Sequence, residues 1–134
     1  MKTLKFVIII GIVSLGLLSF NKLIQEEWKV PVKYEKMKNT TEANSENLSI
    51  GKSLYSKHCK SCHGKTGQGD GTKADGVEGD LGDFSSKVFQ SQSDGALFYK
   101  SYIGRFDMPN YEKKITKEDM WILVHYIRLL GTEK

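Results

Sequence analysis

Two cysteines stand three positions apart, with a histidine directly behind the second: Cys59-Lys60-Ser61-Cys62-His63. That spacing lets both thiols add to the two vinyl groups along one porphyrin edge while the adjacent imidazole reaches the iron, which is the pattern of c-type haem attachment. Thioether bonds retain a haem where a small core could not, and the neutral His63 side chain supplies a strong nitrogen ligand. Rival uses of these residues are weaker. A zinc site would draw on Cys59, Cys62, His58, His63 or His125, and no second paired cluster completes it. A thioredoxin-like pair needs a strand-helix-strand setting, and a Cys59–Cys62 disulfide would close a loop too small to stabilise much.

The elements that must position these residues are helical. Asn47 or Ser49 can cap a helix whose Ile50, Leu54 and Tyr55 share a face and which runs into His58 and Cys59, delivering the cysteines at a helix end. Glycines between Gly64 and Gly82 break any period and predict a long irregular loop able to lie against a flat ligand. The Lys-Ser/Thr ending of a phosphate loop is missing there, and no strand precedes it. Ser93 or Asp94 caps a second helix over residues 95–103, which turns Leu97, Phe98, Tyr102 and Ile103 inward and stops at Gly104. Thr116-Lys117-Glu118-Asp119 forms a variant capping box opening a third helix, with Met120, Leu123, Val124, Ile127 and Leu130 as its apolar stripe and Gly131 as its stop. No segment alternates with period two, so the expected class is all-α. A unit of about 85 residues buries little apolar surface by itself, and a large apolar cofactor would fill that gap.

The rest of the 134-residue chain is less globular. Lys2 and Lys5 precede 15 unbroken apolar or small residues, Phe6 to Phe20, in the order of an export signal. Counting on to Ile24, the apolar helix would reach about 28 Å, enough to span a bilayer. Residues 1–24 are therefore expected to be a signal peptide or an uncleaved transmembrane anchor, with membrane contact through residues 6–24 in the second case. Either way the protein is exported and periplasmic, soluble after cleavage or held at the inner membrane. Residues 25–46 read as a linker whose clump Trp28, Val30, Pro31, Val32 and Tyr34 straps onto the domain or touches a partner protein. Deleting this stretch is expected to leave haem spectra intact while weakening any stable complex. Residues 47–134 form the domain proper. Of the net charge of +4, the leader lysines Lys2, Lys5 and Lys22 account for most, leaving 17 basic against 16 acidic residues. No basic stripe interleaved with aromatics survives, so nucleic acid is not an expected partner. Lys57, Lys60, Lys65 and Lys73 do cluster around the cysteine motif.

Taken together, residues 51–130 resemble the class I c-type cytochromes, in particular the short bacterial monohaem domains. The residues that carry the resemblance are Cys62-His63-Gly64 and the run Gly67-Gln68-Gly69-Asp70-Gly71. With them go a helix crossing made by Gly51 and Tyr55 on one helix and Leu123 and Tyr126 on the other. The resemblance implies a small cytochrome c fold of three to five helices around one covalently bound haem c, attached through Cys59 and Cys62. His63 and a methionine are then the axial iron ligands. A Met sulfur raises the reduction potential and fills the sixth position, so iron changes oxidation state with little ligand motion. Met37 lies in the linker and Met120 on the apolar stripe, whereas Met108 stands in a loop after Gly104 and Arg105 and before Pro109. That arrangement resembles the family's Gly-x-x-x-Met-Pro ligand loop, stiffened by the fixed φ of the proline. His58 and His125 are competing sixth ligands, the first preceding the attachment cysteine and the second reading as a surface or packed histidine. Tyr102, Tyr111 and Trp121 could hydrogen-bond a haem propionate or ligand, though aromatics at helical spacing are usually core. The segment Leu81-Gly82-Asp83-Phe84 lacks the proline the family often places before such an Asp-Phe.

The expected function is electron transfer: a carrier, or the haem subunit of a larger oxidoreductase, exchanging single electrons with donor and acceptor proteins of a respiratory chain that can include a membrane complex. No nucleophile with a base and no carboxylate pair indicates an enzyme in its own right. The alternative is a haem-based ligand-binding or sensor domain with an open or labile sixth position, and the ligation state discriminates the two.

Overall fold

The structure is a computed structural model that describes residues 27–132; the expected leader lies outside the described residues. Within them the chain forms α1 (Val32–Glu35), α2 (Ser45–His58), α3 (Lys60–His63), a 3-10 turn (Ala74–Gly76), α4 (Lys87–Gln90), α5 (Asp94–Ile103) and α6 (Lys117–Leu130). Among the described residues there is no strand and only one isolated bridge, Arg105 with Met108. The all-α expectation holds. None of the described helices is long and apolar enough to cross a membrane.

Helix starts follow side-chain capping. Ser93 accepts from the Ala96 amide and Thr116 from the Asp119 amide, as the sequence indicates. α2 begins earlier than Asn47 or Ser49 would place it, because Asn44 accepts from the Asn47 amide and the Asn47 side chain donates back to the Glu42 carbonyl. The registration of α2 shifts accordingly. Gly51 and Tyr55 are its buried positions, while Ile50 is left 37% exposed and does not join the inward face.

The frame is the crossing of α2 on α6. A Cβ on Gly51 would lie 2.9 Å from both the Ile122 carbonyl oxygen and the Tyr126 Cβ, so the close approach requires a glycine. The Tyr55 and Tyr126 rings pack at 5.4 Å beside it. Tyr126 thus meets Gly51 as the resemblance implied, whereas Leu123 lies in the general core and the Ile122 backbone makes the second contact. α6 buries its five predicted stripe residues and also Trp121, Ile122 and Tyr126. The extra burial arises because it is covered on several sides, by α2, by α5 through the Phe98–Trp121 stack at 4.3 Å, and by the segment ahead of α2.

Near its end, α6 is fastened by Arg128. Its guanidinium donates to Asp94 Oδ1 at 2.9 and 2.7 Å, to the Gln90 carbonyl at 2.7 Å and to the Gln92 carbonyl at 2.6 Å, joining α4, α5 and α6. Gly131 does stop α6, but with φ −77°, not in the left-handed conformation of the usual glycine stop. Its lack of a side chain serves contact instead, since a Cβ there would lie 2.6 Å from the Gln90 Cδ.

Candidate functional site

The cysteines and His63 come from one turn. The Cys59 amide still donates to the Tyr55 carbonyl of α2 at 2.9 Å, while the Cys59 carbonyl accepts from the Cys62 and His63 amides at 3.1 and 2.9 Å. Cys59 therefore closes α2 and opens α3, and the sequence expectation that a helix end delivers the motif is met. Both thiols are free. Burial, with the neighbouring Cys62 adding to it, pushes the Cys59 thiol up to about 12, so it is neutral at physiological pH.

A single turn leaves its carbonyls without helical partners. The glycine-rich loop returns to satisfy them: Gly69 N donates to His63 O at 2.9 Å, Gly71 N to Cys62 O at 3.1 Å and Lys73 N to Ser61 O at 2.7 Å. A Cβ on Gly71 would overlap the Ser61 and Cys62 carbonyls, and one on Gly64, at φ +82°, would overlap the Asp70 carboxylate. The buried Tyr55 hydroxyl donates to the Gly64 carbonyl at 2.8 Å, and its burial holds the phenol above its usual range. The glycine run is thus a backbone cradle for the Cys-x-x-Cys-His turn.

His63 packs against the buried Phe84 ring with centroids 4.6 Å apart, and Phe84 stacks on Phe89 at 4.3 Å. Even without a preceding proline, the Phe84 amide reaches the Gly67 carbonyl at 2.7 Å. The His63 Nδ1 atom is buried and has no hydrogen-bond partner. Burial pulls the imidazole below its ordinary pKa, partly offset by the backbone of Leu81, so the ring is neutral at pH 7. A neutral ring with an orphaned buried nitrogen, on one turn with two free thiols, is a donor set that fits covalently held haem. Among the described residues no three His, Cys, Asp or Glu side chains converge to hold a bare metal ion.

Met108 closes a tight turn. Its amide donates to the Arg105 carbonyl at 2.9 Å, Phe106 adopts φ +50°, and Gly104 at φ +69° packs on the Met108 and Pro109 carbonyls. Met108 is half-buried, Met120 is fully buried in the core, and Met37 lies exposed ahead of α2. Two links tie the Met108 turn to the cysteine side. Asp107 accepts from the Glu78 amide at 2.8 Å, and the Tyr111 hydroxyl donates to the His58 carbonyl at 2.8 Å. Burial, reinforced by the nearby Cys59 and Cys62 thiols, pushes the Tyr111 phenol up to about 12. Tyr111 is thus a buried core aromatic whose hydroxyl is taken by the His58 carbonyl next to the cysteine motif. His58 lies edge-on to the Tyr111 ring at 5.4 Å, and His125 Nε2 pairs with the Thr41 carbonyl at 2.9 Å, which makes His125 a packed histidine.

A small helical domain with two thiols and a neutral imidazole on one backbone-capped turn is of the class that carries haem covalently. A sequence model of the Cytochrome c family matches residues 48–131, and the chain belongs to that family. Covalent haem c and electron transport come with membership. Among solved structures the chain is similar to one from the reducing HAO-like protein complex Kustc0457/Kustc0458 of Kuenenia stuttgartiensis, with 27% identity and a TM-score of 0.59. The match covers 78% of this chain and 50% of that one, so this chain spans about half the length of the structure it resembles. No curated protein matches it.

Proposed function

We propose that this protein is an exported, periplasm-facing monohaem cytochrome c that passes single electrons between redox proteins. The observation that carries the reading is the convergence of both free thiols and the neutral His63, its Nδ1 buried and unpartnered, on one turn capped by three loop amides. Cys59 and Cys62, the only cysteines in the sequence, make one attachment pair and would hold one haem; His63 and Met108 would bind its iron. When bound, haem c supplies a reversible one-electron iron couple. The protein's share is to fix the ligands. The cradle holds the Cys59–His63 turn, Phe84 packs on the His63 ring, and the Tyr55 hydroxyl fixes the Gly64 carbonyl just after it.

Lys57, Lys60, Lys65 and Lys73 are all exposed around the turn and would attract an acidic partner, an effect that salt weakens. The structural neighbour is by its name part of a reducing HAO-like protein complex, which supports redox partner proteins and leaves a role as an oxidoreductase subunit within the same reading. Export, and the choice between a cleaved and an anchored leader, rest on residues 1–24.

The test is the absorption spectrum of the oxidised holoprotein, made with haem-maturation machinery, with Met108→Ala beside it. A weak near-red Met-to-iron band that vanishes in the variant supports His63/Met108 ligation and the carrier. A wild type that lacks the band and takes up carbon monoxide readily when reduced replaces the carrier with the ligand-binding reading.

A further inference from the structure

The segment ahead of α2 is not a free tether. From Trp28 to Thr41 it runs across α5 and α6: the bare Cα of Gly95 presses on the Tyr34 and Met37 carbonyls, and the Tyr34 ring packs on Tyr99 at 4.6 Å. Asn39 Nδ2 donates to the Trp121 carbonyl at 2.8 Å, and His125 holds Thr41. At the other end the half-buried Trp28 ring has the Arg105 guanidinium carbon 4.5 Å and the Lys100 ammonium 5.9 Å from its centroid. Arg105 is the residue whose carbonyl takes the Met108 amide, and the same guanidinium lies 5.3 Å from the Phe106 ring.

We infer that Trp28 is a positioning residue for Met108: the strap clamps Arg105 and so keeps the Arg105–Met108 turn in the shape that presents the sulfur. The inference rests on the His63/Met108 reading above. The turn needs such help. Phe106 sits in the left-handed region, which is unfavourable for a bulky residue, and at 79% exposure it gains little burial in return. Gly104 packing and the Asp107–Glu78 bond restrain the turn from within the domain. The Trp28–Arg105 contact adds a restraint from a segment far away in sequence, and a cation over a Trp face is the strongest pairing of its type. The strap thereby acts on the lability of the sixth ligand, not only on docking, and its deletion should disturb the haem spectrum that the sequence alone suggested it would spare.

The experiment uses the full-length holoprotein with Trp28→Ala, Trp28→Phe and Arg105→Gln. Two quantities are read: carbon monoxide binding to the reduced form, and hydrogen exchange at the Met108 amide against the Leu123 amide of the core. In Trp28→Ala and Arg105→Gln, carbon monoxide binding and Met108 exchange should each speed up about tenfold, the size of one partly desolvated cation–π contact. Leu123 exchange should not change, and Trp28→Phe, which keeps a ring, should recover most of the wild-type behaviour. Unchanged Met108 exchange in Trp28→Ala, or an equal rise at Leu123, overturns the clamp while a wild-type near-red band leaves the ligation reading standing. Absence of that band from the wild type removes both.

Discussion

The attachment turn and the Met108 turn hold the two proposed ligands by different means. Around Cys59–His63 the restraints are backbone hydrogen bonds, three of them from the glycine loop, with two aromatic rings packed outside. Around Met108 the restraints include one turn hydrogen bond, the Asp107 carboxylate and Tyr111 hydroxyl bonds, glycine packing and the cation–π contact to Trp28. Backbone amides cannot rotate away, whereas side chains can. The difference teaches that a haem site can have one ligand fixed by the fold and another whose hold is adjustable by single substitutions.

The comparison can be broken most sharply at the cysteines. Replacing both Cys59 and Cys62 with Ala should abolish covalent haem entirely, read as loss of haem-stained protein on a denaturing gel; retained stain would remove the attachment turn from the argument. Next, Gly71→Ala forces a Cβ into the Ser61 and Cys62 carbonyls, with an expected cost of about 3 kcal/mol in denaturant unfolding. A near-neutral Gly71→Ala would mean the cradle is loose. Arg128→Leu, which strips charge-assisted bonds from the frame beneath both turns, should cost about 2 kcal/mol and lower Tm without changing the near-red band. Asp107→Ala should cost about 1 kcal/mol or less in global stability because its bond to Glu78 is exposed. Its signature is instead that the near-red band disappears at a lower temperature than in the wild type. If Gly71→Ala had that signature and Asp107→Ala did not, the proposed division of labour would be reversed.

How much of this could be read from the sequence depends on what each feature is made of. Side chains in fixed spacing announce themselves: Cys59, Cys62 and His63, the Thr116 cap and the stripe from Met120 to Leu130 all appear where the pattern puts them. Contacts made to backbone leave no such mark. The strap is anchored on the carbonyls of Tyr34, Thr41 and Trp121, so its choice between the domain and a partner stayed open until the fold was seen. Asn44, Asn47 and Ser49 are all competent caps, and only the Glu42 carbonyl, reached by Asn47, selects among them. Gly131 looks like a left-handed stop because the residue type cannot report that Gln90 lies against it. Tyr111 and the Trp28–Arg105 pair join segments distant in sequence, which no local period encodes.

Cys59 serves both as the end of α2 and as the start of the attachment turn. Gly51, the tightest point of the crossing with α6, lies eight residues earlier on the same helix, about 12 Å at the usual rise. Any shear between those helices is therefore delivered along a rigid rod to the attachment point of a coloured group. The haem spectrum would then work as a strain gauge for the helix crossing, reporting on packing at a place no ligand touches.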